Sequence, residues 1–438
     1  MVKTSSKLRV AICGGGISGL CLALALARYS HVQVDLYEAT DRFKEIGAGV
    51  MIWSRTWEIL NLMGLADAFS RIAHAPPNGS IGIGFDYRRS DQPKEGFRFQ
   101  LVEMPYGCIR FHRAAFLDVF VDHLPPGVAH FGKRVVSYSE SATVGGGPII
   151  VHFADNTTAT CDVLVGCDGI KSTVRAQLFR TKAQKEQLPE LLRYIDPVWS
   201  GTIAYRGLIP VGNIPNHADG SLHTTIHSPM MYCGKGKHVV SYSISQGDIV
   251  NVVTFASQPE KNGTPYIGEW VTDCSKQELL ECYSNWEPEV EELLKCIENP
   301  TRWAIHHLRP LPLYVSNRVV LVGDAAHAMT PHQGAGAGQA IEDAFILAEL
   351  LAKAKLENVY AALDAYEKVR LPVANGVLRG SYESGMMYEF NSSLGEKYES
   401  LGPAIQRQWD WISSTSVEDD VVRALHLFKT ASSGAVKL

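Results

Sequence analysis

The sequence lacks paired cysteines, although nine cysteines are spread along its 438 residues. Their number is odd and no two are spaced as CxxC, which argues against a disulfide framework, a zinc ribbon or a dithiol redox centre. The first residues pass from a short polar lead into an apolar run that ends in glycines, without the long apolar core of a secretory signal. We therefore expect a protein of a reducing compartment, with a cytoplasmic location.

An excess of charge of either sign is also lacking, and so is any long hydrophobic run. The 41 Lys and Arg residues stand against 46 Asp and Glu residues, a net charge of −5, and neither sign forms a block. No apolar stretch approaches the roughly 18 residues that a membrane-spanning helix needs. No histidine or cysteine spacing is typical of a metal site. The sequence therefore predicts no nucleic-acid partner, no membrane span and no metal ion.

The first chemical motif that is present lies at the N-terminus. Residues 8–13 (LRVAIC) are a strand-like apolar run, a GxGxxG triplet fills residues 14–19, and an Ala- and Leu-rich helix is expected over 17–29. Residues 32–37 form a second predicted strand that ends at Glu38. Such glycines let a pyrophosphate approach the helix N-terminus, and the carboxylate bonds ribose hydroxyls. The unit predicts a Rossmann-type βαβ fold that binds an adenine dinucleotide.

Two later patches indicate which dinucleotide is bound. Residues 163–175 read VLVGCDGIKSTVR, and residues 319–343 read VVLVGDAAHAMTPHQGAGAGQAIED, with a helix expected from about 336 to 354. In order and spacing, the three motifs resemble those of the single-component flavoprotein aromatic hydroxylases, particularly the salicylate-hydroxylase-like and 3-hydroxybenzoate-6-hydroxylase-like members. The resemblance covers roughly residues 8–385 and implies FAD that is bound tightly but without a covalent link.

The resemblance also implies an α/β fold, with a Rossmann-type FAD-binding domain of the glutathione-reductase type. An inserted mixed or antiparallel sheet would carry the substrate, and the C-terminus would be helical. Because only one GxGxxG is present, NADH or NADPH is expected to bind transiently, without its own domain. The predicted domains are residues 1–76, 106–185 and 300–388 for FAD, 77–105 and 186–299 for the substrate, and 389–438 for a C-terminal helical segment.

The residues expected to hold FAD lie in these motifs, in the stretch Gly47-Ala48-Gly49 and at the start of a helix over 112–124. Asp324, at a strand end, can bond ribityl hydroxyls, and the amides of 334–338 can stabilise the negative charge of reduced flavin. The resemblance brings Arg113 to the phosphate–ribityl region, Arg42 over the adenosine, and Asp168 near the pyrophosphate and the nicotinamide path. The expected cofactor residues are Gly14, Gly16, Ser18, Gly19, Glu38, Arg42, Gly49, Arg113, Asp168, Gly323, Asp324, Gly334, Gly336, Ala337 and Gly338.

Substrate residues are expected on the strand-rich stretch 199–256, which would roof the flavin. Arg206 in AYRG matches a family strand whose arginine contacts an anionic or phenolic substrate in some members. His238 and Tyr242 are four residues apart, so a strand places both on one face. Their spacing resembles the pair that holds the phenol in 3-hydroxybenzoate-6-hydroxylase-like enzymes, although Ser243 replaces a common proline. The remaining expected catalytic residues form a loop beside the reacting edge of the flavin: Pro331, His332 and Gln333.

Elsewhere the pattern predicts strands near 133–140, 148–154 and 159–166 in an antiparallel meander, and helices near 403–413 and 417–429.

Together these observations predict an FAD-dependent, NAD(P)H- and O2-consuming monooxygenase that hydroxylates a phenolic, hydroxybenzoate-type compound through a flavin hydroperoxide. Carboxylate would be lost only if the attacked carbon carries it. Two alternatives remain open. One is an FAD monooxygenase that acts on a non-aromatic substrate by epoxidation or Baeyer–Villiger oxidation, and the other is a non-catalytic FAD-binding redox sensor. The expected partner is a small aromatic molecule, and the expected state is a monomer or homodimer.

Overall fold

The structure, a computed structural model, describes residues 7–43, 49–74, 77–140, 147–217 and 219–435. Gly47 and Ala48 of the predicted glycine stretch lie outside the described residues. The strands, numbered in chain order, are β1 Leu8–Cys13, β2 Val32–Tyr37, β3 Gly49–Ile52, β4 Ile81–Arg89, β5 Phe97–Pro105, β6 Ile109–His112, β7 Ala129–His130, β8 Val135–Ser139, β9 Ile149–Phe153, β10 Thr158–Cys161, β11 Val163–Gly166, β12 Val198–Pro210, β13 Met230–Gly234, β14 Lys237–Ile244, β15 Ile249–Ser257, β16 Val271–Asp273, β17 Thr301–His307, β18 Val315–Ser316 and β19 Val319–Leu321.

The α-helices alternate with these strands early in the chain and dominate its end. They are α1 Ile17–Ala27, α2 Ser54–Leu62, α3 Ala66–Ser70, α4 Arg113–His123, α5 Thr173–Glu186, α6 Thr224–His227, α7 Lys276–Cys282, α8 Pro288–Lys295, α9 Asp324–His327, α10 Gly336–Leu351, α11 Val359–Tyr388, α12 Tyr398–Arg407 and α13 Val417–Ala435. Short 3-10 helices occupy Pro189–Tyr194, Val211–Asn213, Ser245–Gly247, Pro259–Lys261, Pro331–Gln333, Leu356–Asn358 and Asp410–Ile412.

A six-stranded sheet forms the centre of the first half of the fold, in the order β18-β19-β11-β1-β2-β7. Strands β19, β11, β1, β2 and β7 run parallel, and β18 is antiparallel to β19. β11 is buried along its whole length, and β1 has a single partly exposed position. Apolar runs of this kind are typical of parallel strands covered on both faces. Helix α1 packs against α10, and both contribute to the same apolar core.

An eight-stranded sheet forms the second half, in the order β16-β17-β12-β15-β14-β13-β4-β5. Its pairs are antiparallel except for β13 and β4, which run parallel. Strand β14 is almost wholly buried because both faces of the sheet are covered. Residues of this sheet contribute to two apolar clusters. Residues of α7 and α8 belong to one cluster, and residues of α12 belong to the other. The mixed sheet and the parallel sheet together confirm the predicted α/β fold class.

One predicted strand, over residues 159–166, is wrong. The segment breaks at Asp162, so that β10 joins a three-stranded antiparallel sheet with β9 and β8, while β11 enters the parallel sheet. Asp162 bonds the backbone N–H of Arg9 at 2.9 Å and its guanidinium at 2.7 Å. The Asp162 side chain fixes the point at which the chain passes from one sheet to the other. The apolar pattern of the sequence does not indicate that break.

The C-terminal helices differ from the prediction in their limits. Helix α12 begins at Tyr398 rather than near residue 403, and it ends at Arg407. Its Leu401 and Ile405 are buried in the cluster beneath the large sheet, so packing sets the helix start ahead of Pro403. No helix within the described ranges is both long and apolar enough to cross a membrane. The division into domains stays a prediction.

Candidate active site

A cavity of about 420 Å³ lies where the carboxyl ends of β1, β11 and β19 face the eight-stranded sheet. Open parallel sheets bind ligands at such strand ends, and the volume falls within the range of small-molecule sites. Thirteen of the predicted site residues line this cavity: Gly16, Ser18, Gly49, Arg113, Arg206, His238, Tyr242, Asp324, Pro331, His332, Gly334, Gly336 and Ala337. The other eight lie around it or behind its walls: Gly14, Gly19, Glu38, Arg42, Asp168, Gly323, Gln333 and Gly338.

The three N-terminal glycines differ in what surrounds them. A Cβ on Gly14 would lie 2.3 Å from the carbonyl oxygen of Cys167, and a Cβ on Gly19 would lie 1.9 Å from that of Gly14. These two positions therefore hold α1 tightly against the sheet. Gly16, in contrast, has nothing within 4 Å of an added Cβ. The open space in front of the α1 N-terminus fits the pyrophosphate of FAD, which that end can bind through backbone N–H groups.

Glu38 lies at the end of β2, beside the glycine turn. Its carboxylate accepts hydrogen bonds from the backbone N–H groups of Gly15 at 2.7 Å and Thr40 at 2.8 Å. This position, next to the turn and outside the cavity itself, fits a carboxylate that meets the ribose of an adenosine. Arg42 is exposed, and its carbonyl accepts a bond from the Thr40 hydroxyl.

Asp168 directs its carboxylate toward the start of α5. It accepts bonds from the Ser172 hydroxyl and from the backbone N–H groups of Thr173 at 2.7 Å and Val174 at 3.1 Å. Burial raises the pKa of Asp168, and these donors partly offset that shift. The neighbouring residues Cys167 and Gly169 line the cavity, whereas Asp168 itself orders the turn that supports them. Its expected place on the nicotinamide path stays a prediction.

The turn between β19 and α9 brings Asp324 to the cavity. Gly323 has a φ of +64°, which side-chain-bearing residues rarely adopt, and its N–H donates to the Asp343 carboxylate at 3.0 Å. Asp324 is exposed and lines the cavity. Helix α10 then begins at Gly336 with its N-terminus at the cavity wall. Gly338 packs instead on α2, since a Cβ there would lie 2.5 Å from Thr56 Oγ1.

A buried ionic network holds this turn from behind. His327 Nε2 lies 2.5 Å from Asp343 Oδ2, and Arg370 bonds Asp343 at 2.7 Å and Glu342 at 3.0 Å. All four side chains are fully buried. Burial alone raises the pKa of Asp343, but the facing charges of His327 and Arg370 outweigh it and hold the pKa at about 2. The histidine of GDAAH therefore supports the turn that carries Asp324.

The opposite wall of the cavity follows from the register of three adjacent strands. Ala204 pairs with Phe255, which pairs with His238. Tyr242, four residues along β14, pairs with Asn251. Directly paired residues share a face, and alternate positions return to it, so one face of the sheet presents Ala204, Phe255, His238 and Tyr242 to the cavity. The structure thus brings His238 and Tyr242 together, as their spacing predicts.

Gly49 lets the first half of the fold approach this wall. A Cβ there would lie 2.6 Å from Tyr242 Oη and 2.9 Å from Asn251 Cγ. The Gly49 N–H also donates to the Asn251 side-chain oxygen at 3.0 Å. The edge of β3 therefore closes onto the substrate sheet only because residue 49 has no side chain.

Arg206 places a partly buried positive charge in the cavity wall. Its guanidinium lies 5.0 Å from the ring centre of Trp303, and no carboxylate among the described residues bonds it. Burial lowers the pKa of Arg206, the nearby Tyr242 opposes that shift, and the charge of Arg113 adds to it. A partly buried cation without a counter-ion among the described residues is unfavourable, so this corner favours an anionic ligand.

His238 lies deeper in the same wall. It stacks on Phe255 with ring centres 4.4 Å apart, and its Nδ1 lies 2.9 Å from Glu389 Oε1. Its Nε2 is buried and has no hydrogen-bond partner within the described part of the chain. Burial lowers the pKa of His238 to about 3, so the ring is neutral at neutral pH. The ring centre of His332 lies 5.1 Å from that of His238. Burial, and to a smaller extent His238, lowers the pKa of His332 to about 3.

The expected contact between Gln333 and the substrate requires correction. Gln333 is buried away from the cavity, where its side-chain amide donates to Ser384 Oγ at 3.0 Å and to the Gln408 carbonyl at 2.9 Å. Its own carbonyl accepts a bond from the Trp53 indole at 3.1 Å. The 3-10 turn over Pro331–Gln333 points His332 into the cavity and Gln333 toward the C-terminal helices.

Several residues of the site belong to none of the sequence motifs. Phe85, Met231, Phe255 and Trp303 supply an apolar and largely aromatic lining, which suits a flat aromatic ligand. Strand alternation contains the signal for Phe255, since it lies opposite His238 in register. Glu389, 151 positions from its partner His238, has no comparable signal.

Comparison with known proteins agrees with this geometry. A family model described as FAD binding domain matches residues 7–191 and 265–381. A salicylate hydroxylase of Pseudomonas putida is 38% identical over 424 residues, which cover 95% of this chain and 94% of that protein. The 6-methylsalicylate 1-monooxygenase of Aspergillus terreus is 34% identical over 431 residues, covering 97% and 93%. A solved salicylate hydroxylase substrate complex matches with a TM-score of 0.84 at 33% identity, covering 96% of this chain and 98% of that one.

The glycine turn before α1, the turn that carries Asp324 and the cavity against the eight-stranded sheet, together with the matched FAD binding domain, identify a flavoprotein monooxygenase that binds FAD. This confirms the predicted cofactor and enzyme class. More narrowly, the chain belongs to the family of single-component FAD-dependent aromatic hydroxylases that includes salicylate hydroxylase.

Proposed function

We propose that the protein hydroxylates a phenolic acid of the hydroxybenzoate type, with NADH or NADPH as reductant and O2 as co-substrate. The observation that carries this proposal is the pairing, in one aromatic cavity, of a guanidinium and an imidazole nitrogen that have, respectively, no counter-ion and no hydrogen-bond partner among the described residues. A carboxylate and a phenol on one ring supply the two missing partners. Relatives named for salicylate and 6-methylsalicylate support the same class.

Arg206 binds the carboxylate in this proposal. A guanidinium presents paired N–H donors that match both carboxylate oxygens. Because the group is partly buried beside Trp303, solvent screens the ion pair less than it would at the surface. The substrate is thereby oriented with its ring among the aromatic residues of the sheet.

His238 receives the phenol. Its neutral ring leaves Nε2 as an acceptor facing the cavity, so the phenol O–H can donate to it and pass its proton as the ring is attacked. Loss of that proton raises the electron density of the aromatic carbons. Tyr242, on the same face, closes the wall beside the substrate and contacts the β3 edge.

FAD, when bound, supplies the reductive activation of O2 and transfers one oxygen atom to the ring. Gly16, Ser18 and Asp324 lie where they would hold its pyrophosphate and ribityl chain, and the N-terminus of α10 would face the ring system. Pro331 and His332 close the remaining side. The apolar walls exclude water, which favours transfer to the substrate over loss of the oxidant as hydrogen peroxide.

The test is a panel of benzoic acids with the FAD-loaded protein. We expect hydroxybenzoates to stimulate NADH or NADPH oxidation and O2 uptake, with a product mass that reports the gain of one oxygen. A product that has also lost CO2 indicates attack at the carbon that bears the carboxylate, the position named for the Aspergillus relative.

Matched control ligands separate the two contacts. Benzoate lacks the phenol, and phenol lacks the carboxylate, so neither should reach the turnover of the bifunctional acid. Peroxide formed in stoichiometric amount with every phenolic acid, without a hydroxylated product, would contradict the proposal. A colourless preparation that cannot be reconstituted with FAD would also contradict it.

A further inference from the structure

Glu389 lies behind the substrate wall, one residue beyond the end of α11. Its Oε1 is 2.9 Å from His238 Nδ1 and accepts a bond from Ser257 Oγ at 2.8 Å. Its backbone is tied as well, because its carbonyl accepts the Gly236 N–H at 2.9 Å. Glu389 is 2% exposed and His238 is fully buried. A carboxylate, an imidazole and a hydroxyl thus form one buried cluster across α11, β14 and β15.

The bonding pattern determines which nitrogen of His238 carries the proton. Ser257 donates its hydroxyl hydrogen to Glu389, so the carboxylate acts as an acceptor in this cluster. A tautomer in which Nδ1 is the donor to the same carboxylate satisfies this contact and leaves the lone pair on Nε2. Nε2 is the atom without a partner, and the ring that carries it lines the cavity. The tautomer that can accept a proton from a cavity ligand is therefore the one that Glu389 stabilises.

We propose that Glu389 is the positioning residue for His238, fixing its Nδ1–H tautomer and stabilising the imidazolium that forms when Nε2 takes the proton of the substrate phenol. This role rests on the proposed function. In the step, the phenol O–H bond breaks, an N–H bond forms at Nε2, and the Nδ1 proton is shared with the Glu389 carboxylate. No electrons are exchanged, and the proton is released when the product leaves. Glu389 itself does not line the cavity.

The charges around Glu389 support a pH readout. Burial raises the pKa of Glu389 to about 7, and His332 partly opposes that shift. Burial places the titrations of the neighbouring histidines far below neutral pH and those of the thiol and phenols above their usual values, so Glu389 is the group that titrates near pH 7. These neighbours are His238, His332, Cys233, Tyr283 and Tyr382. Turnover that needs the carboxylate should therefore fall as the pH drops through about 7.

The test compares Glu389→Gln with wild type in the FAD-loaded enzyme. General acid–base assistance contributes roughly 10²- to 10⁴-fold, so we expect kcat to fall about 100-fold in the variant. KM should change little, because Glu389 does not touch the substrate. The acid limb near pH 7 should disappear. Activity relative to wild type should recover with a fluorinated or nitrated hydroxybenzoate whose phenol is already ionised at the assay pH.

Glu367→Gln is the matched control. Glu367 lies on the same helix, about 33 Å from Glu389 at 1.5 Å per residue, and it also accepts partly buried hydrogen bonds, from the N–H groups of Tyr314 and Val315. The control should keep the wild-type kcat and pH profile. A Glu389→Gln enzyme with wild-type kcat and an intact acid limb overturns the proposal, and so does a loss of activity that the pre-ionised substrate does not relieve.

A second measurement separates this proposal from the proposed function. In holoenzyme labelled with ¹⁵N-histidine and free of substrate, the His238 signal, assigned with His238→Asn, should report a protonated Nδ1 in wild type and a changed tautomer ratio in Glu389→Leu. That pattern in a protein inactive toward every phenolic acid supports the positioning role and contradicts the function. An unchanged tautomer ratio in Glu389→Leu contradicts the positioning role alone.

Discussion

Arg206 and His238 line the cavity from different strands of one sheet. β15 separates their strands, and Arg206 lies two residues along from the position level with His238. With about 4.8 Å between strands and about 3.4 Å per residue, their Cα atoms are roughly 12 Å apart. Side chains stand roughly perpendicular to a sheet, and Arg206 and His238 share one face, so their ends can meet two substituents of a single aromatic ring.

The first prediction concerns Arg206 and tests the carboxylate contact. We expect Arg206→Ala to raise the KM for a hydroxybenzoate roughly 10- to 100-fold, because a hydrogen bond to a charged group is worth about 1.5–3 kcal/mol. The measurement is substrate-dependent NADH or NADPH oxidation by FAD-loaded protein. Arg180→Ala, at an exposed position of α5, is the control and should match wild type. An unchanged KM for every phenolic acid in Arg206→Ala counts against the assignment.

Residue chemistry was the most predictable part of the site. The glycines, Asp324 and the His238–Tyr242 spacing follow from local rules, in which a few neighbouring positions decide the geometry. The direction of Gln333 and the presence of Glu389 could not be predicted. Both depend on contacts with residues 51 to 151 positions away, Ser384 and His238 respectively, which no short pattern encodes.

At the scale of elements, the contact of α1 with β1 depends on Gly19. The Cβ added by Gly19→Ala would meet the Gly14 carbonyl oxygen at 1.9 Å, so α1 must shift from the sheet. We expect a loss of about 1–3 kcal/mol in unfolding free energy and a lower flavin content per protein. Both are measured on purified protein, by denaturant unfolding and flavin absorbance.

Gly376→Ala is the control for that substitution, and we expect it to change the unfolding free energy in the opposite direction. Gly376 lies within α11, and nothing stands within 4 Å of an added Cβ. Alanine in a helix interior should stabilise the protein by about 0.5–1 kcal/mol without changing the flavin content. Equal stability of the two variants would refute the steric argument for α1.

The network behind α9 and α10 yields a pH-dependent prediction. Asp343→Asn should destabilise the protein by about 3–5 kcal/mol, because Arg370 and His327 lose a buried partner. The folded-state pKa of Asp343, about 2, is lower than the unfolded value of about 3.9. Its contribution is therefore complete above pH 4 and is lost as the pH falls toward 2.

That prediction is measured as the difference in unfolding free energy between wild type and Asp343→Asn at several pH values. The difference should be constant from pH 7 to pH 5 and should shrink below pH 4. A gap that widens with acid would show that the charge of Asp343 does not stabilise the fold.

At the scale of the whole molecule, the cavity lies between the two sheets, so a bound cofactor touches both halves of the fold. Binding to the folded state alone stabilises by mass action. FAD at 100 times its Kd should therefore add about 2.7 kcal/mol to the unfolding free energy. The measurement is thermal or denaturant unfolding of apoprotein across an FAD titration.

FMN is the matched control ligand, since it carries the same ring and ribityl chain without the adenosine. It has only one phosphate for the space in front of Gly16 and no ribose of an adenosine to meet the carboxylate of Glu38, so at equal concentration it should stabilise less. If FMN and FAD stabilised the protein equally, the glycine turn before α1 would not bind the dinucleotide.

The fold class could be predicted because glycine turns and apolar runs mark the strands of the parallel sheet. The strand break at Asp162 could not, because it depends on Arg9, a residue of the neighbouring strand that lies 153 positions away in the sequence. The early start of α12 could not be predicted either, because its apolar residues pack against residues of the large sheet that are distant in the sequence. What was unpredictable is in each case tertiary packing overriding local preference.

The order of strands in the parallel sheet has a consequence for how the protein is made. Its three central strands begin at residues 8, 163 and 319. At a synthesis rate of about 5–20 residues per second, β1 emerges roughly 15–60 s before β19 is available beside β11. Nascent chains thus expose a half-built nucleotide crevice for most of their synthesis, and the cofactor can be captured only near the end of translation.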